Sequence, residues 1–189
     1  HDHFARLHFF DNQFQFTGGQ FRVTNSVDAA RAPHTRWFAN RSFVGKQIGN
    51  VFDIGAKATY APKQVPLTAE FGVYNGRNSS ASDDVWLHNN YLYVGHLKFK
   101  KSDFEANVSA MTTKPQGIRT NMYDACLSYK YQKFTVEAEY MYKYFCESDA
   151  EPVHALNTMA MYALPVDNKN MQQVRFLGRI DMMTDDSSG

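Results

Sequence analysis

The sequence predicts an all-β chain, folded as an antiparallel up-and-down meander that forms part of a transmembrane β-barrel. Three observations lead there. Apolar and polar residues alternate with period two in almost every segment. Several segments reach the ~9–11 residues that a tilted strand needs to cross a bilayer, against ~5–6 in an ordinary globular strand. The connections between segments alternate strictly between short and long.

About ten strands are expected, over 4–10, 13–24, 51–60, 67–74, 90–100, 104–111, 121–131, 134–145, 154–164 and 174–183. In 51–60, Phe52, Ile54, Ala56, Ala58 and Tyr60 oppose Asp53, Gly55, Lys57 and Thr59. In 67–74, Leu67, Ala69, Phe71 and Val73 oppose Thr68, Glu70 and Gly72. The same rule sets Val108 against Asn107 and Ser109, Leu127 against Cys126 and Ser128, and Val136 and Ala138 against Glu137 and Glu139. It also sets Phe176 and Ile180 against Arg175, Arg179 and Asp181. One apolar face and one polar face is the strand signature. The segments show no helical periodicity, no domain boundary and no low-complexity tract.

The short connections are 11–12, 61–66, 101–103, 132–133 and 165–173; the long ones are 25–50, 75–89, 112–120 and 146–153. A meander has two ends, so strict alternation gathers the long loops at one of them, as in outer-membrane barrels. A soluble β-sandwich or lipocalin-like barrel alternates too, with its apolar face turned inward. Two features favour the membrane reading. The polar faces carry charges of both signs, as a wet lumen would. Aromatic residues also gather near strand ends, at Tyr60, Tyr74, Tyr91, Tyr131, Phe134 and Tyr144, as interfacial girdles do.

Composition narrows the function. The 189 residues suit one domain, and 20 Lys+Arg nearly cancel 19 Asp+Glu, so no general attraction to nucleic acid is expected. No apolar run approaches the ~20 residues of a membrane helix. His1-Asp2-His3-Phe4 lacks a signal-peptide pattern and reads as the middle of a strand, so an internal fragment of a longer barrel is expected. Cys126 and Cys146 fit no zinc spacing. With a tight turn at 132–133, Cys126 faces Glu139, leaving Cys146 more than about 20 Å away at ~3.3 Å per residue. A disulfide requires Cα atoms within ~7 Å, so two free thiols are expected.

Charge is concentrated in loop 25–50, where Arg31, Arg36, Arg41 and Lys46 meet one acid, Asp28, for a local balance of +3. A cationic constriction attracts anions, and low-dielectric walls strengthen its field. Arginine adds a planar fork that matches phosphate oxygens. Strand parity puts Arg22, Lys57, Lys98, Lys100, Lys130, Lys143, Arg175 and Arg179 on the polar faces. Asp53, Glu70, Glu105, Asp124, Glu137, Glu139 and Asp181 share those faces, so cross-strand ion pairing competes with a basic ladder. Any anion preference must therefore come from the loop. His1 and His3 have no second histidine cluster, and no metal or cofactor is expected. Glu137 and Glu139 read as charged lumen rather than as a glycosidase pair. With no nucleophile–base arrangement and no phosphate-cradling loop, the chain does not read as an enzyme.

Gly19-Gln20-Phe21-Arg22-Val23 resembles the phosphate-selective porin O and P family, in which a Gly-Gln-Phe-Lys/Arg strand leads into a long loop. Thr24 stands where that pattern usually has proline. Asn40-Arg41-Ser42, Asp53-Ile54-Gly55 and Phe71-Gly72-Val73-Tyr74-Asn75-Gly76 follow in the family's order. So do Tyr123-Asp124-Ala125, Val136-Glu137-Ala138-Glu139-Tyr140 and Arg179-Ile180-Asp181. The resemblance spans nearly the whole chain; each motif is short, and the order carries more weight than any one. It implies the middle of a sixteen-stranded, usually trimeric barrel in the bacterial outer membrane. It further implies passive diffusion of small anions such as phosphate, with loop 25–50 folded into the pore and Arg22 contributing from the strand below.

Overall fold

The computed structural model describes residues 3–47, 52–76, 91–114, 117–146, 148–168 and 171–184. Its ten strands form one sheet in chain order. They are β1 (His3–Phe9), β2 (Phe14–Arg22), β3 (Phe52–Tyr60), β4 (Leu67–Tyr74), β5 (Leu92–Lys101), β6 (Phe104–Thr113), β7 (Thr120–Tyr131), β8 (Phe134–Phe145), β9 (Val153–Asn168) and β10 (Met171–Met183). Each pairs antiparallel with its sequence neighbours, and among the described residues β1 and β10 do not pair with each other. The chain is all-β, an open up-and-down meander, as the alternation predicts.

Tight turns join β5 to β6 and β7 to β8, with Ser102 and Gln132 at positive φ (51° and 52°). The second turn sets the register Tyr131↔Phe134, which places Cys126 opposite Glu139. Cys146 lies beyond the end of β8, and both thiols are free. The last hairpin is longer than expected. The proposed connection 165–173 is mostly strand, leaving only residues 169 and 170 between β9 and β10. Pro165 pairs with Gln173 beside a register shift between Met171 and Gln173, a place where a strand tolerates proline. Most of the expected loop 75–89, residues 48–50 of loop 25–50, and His1 lie outside the described residues.

The connection after β2 shows how the sheet bends. Ser26 follows Arg22 by four residues, a reach of at most about 14 Å. It nevertheless bonds Glu139 on β8, six strands away, or about 29 Å along a sheet with ~4.8 Å spacing. The two requirements meet only if the sheet curls, with the loop on its concave side. That loop contains α1 (Val27–Ala30), a 3₁₀ turn at Pro33–Thr35 and α2 (Phe43–Gln47). Helices of four and five residues are too short for a periodic signal; their sequence mark is the cap. Ser26 Oγ accepts the Ala29 N–H at 3.1 Å, and Ser42 Oγ accepts the Gly45 N–H at 3.1 Å.

The concave face buries polar side chains beside apolar ones such as Val94, Met141 and Val153, while the convex face exposes apolar ones. Buried side chains on the concave face include Asp53, Asn107, Ser109, Asp124, Glu137, Glu139 and Asn157. Phe71 and Leu127, on the convex face, are 56% and 55% exposed, and Val108, Val136, Phe176 and Ile180 are exposed with them. Of the strand-end aromatics, Tyr60, Tyr91, Tyr131, Phe134 and Tyr144 are exposed.

Tyr74 is the correction. It is 1% exposed and packs edge-on against Phe21, ring centroids 5.5 Å apart. It shares the parity of Gly72, and both glycines beside it, Gly55 and Gly72, leave the room its ring occupies. A Cβ on Gly72 would lie 2.5 Å from the Tyr74 ring, and one on Gly55 would lie 2.3 Å from the Val73 carbonyl oxygen. The Gly55 clash is with backbone and cannot be relieved by a rotamer change. Gly55→Ala is therefore expected to destabilise the fold by about 1–3 kcal/mol, measured by urea unfolding of the refolded protein.

Candidate functional site

The concave face and the loop across it bring most of the expected site residues together. Their partners divide them into two groups. Arg31 reaches β8, where Nη1 donates to Glu137 Oε1 at 2.7 Å and Nη2 to Glu137 Oε2. Its guanidinium also lies over Trp37, 5.6 Å from the ring centroid. Burial works against the charge on Arg31, but contact with Glu137 outweighs it and holds the pKa above the ordinary arginine value. Lys57 pairs with Glu70 at 3.0 Å, Lys98 with Glu105 at 2.8 Å, and Arg179 with Asp181 at 2.9 Å. Lys100 adds a longer contact to Glu105 at 3.5 Å. These cations are largely neutralised locally.

The second group has no acid partner among the described residues. Arg22 pairs in register with Phe52 and lies 4.5 Å from its ring centroid. Its strand position is therefore on the Phe52 side, and Phe21 takes the concave position expected for it. At the strand end its Nη1 still reaches the loop, donating to the Arg31 carbonyl at 3.0 Å and the Ala30 carbonyl at 3.5 Å. Arg36 Nε donates to the same Arg31 carbonyl at 3.5 Å. Arg41 makes no side-chain hydrogen bond or ion pair among the described residues. Burial, reinforced by repulsion from Arg36 and Arg22, holds its pKa below the ordinary arginine value. Arg41 thus lies within the field of two other guanidiniums, and the acid that partly offsets them, Asp28, is bonded to Ser42. Lys46 is exposed, 5.4 Å from the Phe43 ring centroid. Lys130 and Arg175 are exposed and line a cavity of about 280 Å³ with Lys133 and Gln173, at the short-turn end.

The sequence reading missed how the loop is held. Glu139, 0% exposed, accepts Ser26 Oγ–H at 2.7 Å, the Val27 N–H at 2.6 Å and the Asp28 N–H at 3.2–3.3 Å. Ser109 Oγ donates to the Asn25 carbonyl at 2.7 Å, and Arg179 Nη1 to the Asn40 carbonyl at 2.7 Å. Inside the loop, Asp28 Oδ2 accepts both Ser42 N–H and Ser42 Oγ–H at 2.8 Å. The only advance sign was chemical: Ser26 and Ser42 are cap-type residues, and Glu139 is an inward acid without an obvious cross-strand cation. Between the loop and β5–β7 lies a cavity of about 300 Å³, lined by Thr24, Ser26, Arg31, His96, Lys98 and Asp124 among others.

Among the described residues no group of three or more His, Cys, Asp or Glu side chains is placed to hold a metal. No protein-family model and no curated protein matches the chain.

The Arg31–Glu137 pair gives a direct check on the seam. Glu137→Ala strands a mostly buried guanidinium and is expected to cost about 2–4 kcal/mol. The double change Arg31→Met with Glu137→Met is expected to recover most of that loss, because a matched apolar pair needs no compensation. A double-mutant cycle by equilibrium unfolding measures both.

Proposed function

We propose that this chain is wall and constriction loop of an outer-membrane porin that passes small anions, phosphate among them, by passive diffusion. The observation that carries the reading is the inversion of the sheet: the polar face is concave and partly covered by a cation-rich loop, while the apolar face is convex and bare. An exposed apolar surface of this extent is foreign to soluble monomers and natural to a wall that meets lipid. Strands of ten to twelve residues in β5 to β8 have the span a tilted membrane strand needs. No helix among the described residues is long and apolar enough to cross a membrane, which is silent about strands. A soluble lipocalin-like or sandwich protein that binds a ligand would enclose Phe71, Val108 and Leu127 rather than present them outward.

In this reading transport needs no covalent chemistry. Water fills the concave side, and fixed charge sorts the ions. The sorting falls to Arg22, Arg36 and Arg41, with Lys46 outside them. Arg31, Lys57, Lys98 and Arg179 are matched by acids, so their contribution to the long-range field is small. Lys130 and Arg175 add positive charge at the short-turn end. A trimer of complete barrels, as in the family the sequence resembles, fits the same reading, with lipid and small anions as the partners.

Two measurements test it. Val108→Arg, near the middle of β6, is expected to cost about 2–4 kcal/mol for unfolding from lipid vesicles if that face meets the bilayer midplane; a cost within about 0.5 kcal/mol, ordinary for an exposed site, would count against the membrane. In a planar bilayer under a salt gradient, Arg36→Gln with Arg41→Gln is expected to shift the reversal potential toward the cation side. Lys57→Gln is expected to shift it much less. An unchanged reversal potential in the double variant would remove the loop as the source of anion preference.

A further inference from the structure

We infer that Glu139 of β8 is a positioning residue: its carboxylate is the dock that sets where Arg36 and Arg41 stand in the lumen. The inference rests on the porin reading for its consequence, and on hydrogen-bond geometry alone for the dock. Glu139 sits deep on the concave wall, opposite Cys126 of β7 and Asn157 of β9, all three with 0% exposure. Among the described residues the hydrogen bonds to its carboxylate come from the loop, not from a cation. The adjacent inward acid, Glu137, already holds Arg31, and the inward side chain beside it on β7, Asp124, is another acid rather than a cation. A carboxylate so enclosed needs donors, and the loop supplies three consecutive ones: Ser26 Oγ–H, Val27 N–H and Asp28 N–H. The demand runs both ways, because the N–H groups that open α1 have no partners within the helix.

The position is passed on from there. Asp28, whose N–H is on Glu139, uses its own carboxylate to hold the backbone and hydroxyl of Ser42. Ser42 caps α2 through Gly45 N–H, and Gly45 lies so close that a Cβ there would stand 2.6 Å from Asp28 Oδ2. Arg41 is the residue before Ser42. Arg36 is tied to the Arg31 carbonyl, one residue past α1. Both unmatched arginines thus hang from a frame rooted on the wall at Glu139, with Ser109 on the Asn25 carbonyl and Arg179 on the Asn40 carbonyl as lesser ties. The Arg31–Glu137 pair is a second root, two residues along the same strand face.

The test compares Glu139→Ala and Glu139→Gln with the parent in the intact protein, each confirmed as β-folded by circular dichroism. Backbone amide exchange is followed at Ala30, Ser42, Gly45 and Lys46, of which the last three lie in or beside α2, away from the substituted side chain. In Glu139→Ala all four are expected to exchange at least about tenfold faster, the scale of one or two lost charge-assisted hydrogen bonds. Glu139→Gln keeps an acceptor oxygen and is expected to stay within about threefold of the parent. In the planar bilayer, Glu139→Ala is expected to move the reversal potential toward that of Arg36→Gln with Arg41→Gln, although no loop cation has been removed. Deleting an acid without such coupling would move it the other way, toward stronger anion preference. Unchanged exchange at Ser42, Gly45 and Lys46 would overturn the dock. Faster exchange with a reversal potential at or beyond the parent's anion preference would overturn the positioning role. If the parent itself shows no anion preference, the porin reading fails while the exchange result still decides whether Glu139 is the dock.

Discussion

Among the described residues a single curved sheet has two faces and no second sheet to cover either, and the rest of this structure follows from how that constraint is met. The convex face is left bare and is apolar. The concave face is polar and is covered by the chain's own loop after β2, which crosses to β8 and beyond. Curvature makes the crossing possible: a four-residue reach from Arg22 to Ser26 spans six strands only because the sheet brings β8 round to face β2. Once there, the loop buries wall positions of both kinds, so that Asp124, Glu137, Glu139 and Asn157 lie in the same interior as Met141, Val153 and Ala155, which pack against Val44 of the loop.

Burying that many acids has to be compensated locally, and the compensation sorts the basic residues into two kinds. Where an acid and a base share the wall, as Lys57 with Glu70 and Lys98 with Glu105, they pair across strands and lose most of their long-range influence. Where the wall has more acid than base, around Glu137 and Glu139, the loop provides one guanidinium and a run of N–H and O–H donors. Arg31 is thereby committed to holding the loop. Of the guanidiniums left over, those of Arg22 and Arg36 repel that of Arg41 in a partly buried setting, which works against its charge. Aromatic rings support the same loop: Trp37 under Arg31, Phe38 under Arg179 and Phe43 beside Lys46 give the cations apolar surfaces to lie on.

The boundaries of the strands were largely legible from the sequence because their cause is local. Side-chain alternation is a property of each strand by itself, and turns such as 132–133 fix register by their length. The failures have local causes too. The expected connection 165–173 is mostly strand, with Pro165 accommodated at a register shift in the last hairpin. Tyr74 reads as a rim aromatic because it ends a strand, yet Gly55 and Gly72 clear a place for it on the inner face. Two helices escaped notice because four or five residues cannot display a 3.6-residue period, and the serines that cap them look like any loop serine.

What the sequence by itself determined is the alternation, the strand count and the concentration of positive charge in the loop after β2. Period two and composition are enough for those. What only the tertiary structure decided is which face is concave and which loop cations remain unmatched. Alternation is symmetric between the two faces, so it cannot say which one is buried. Arg31 and Glu137 are 106 residues apart in the chain, as Ser26 and Glu139 are 113 apart, and no local pattern links them. Their meeting depends on the curl of the whole sheet, which is why the charge of the loop could be counted in advance but not assigned.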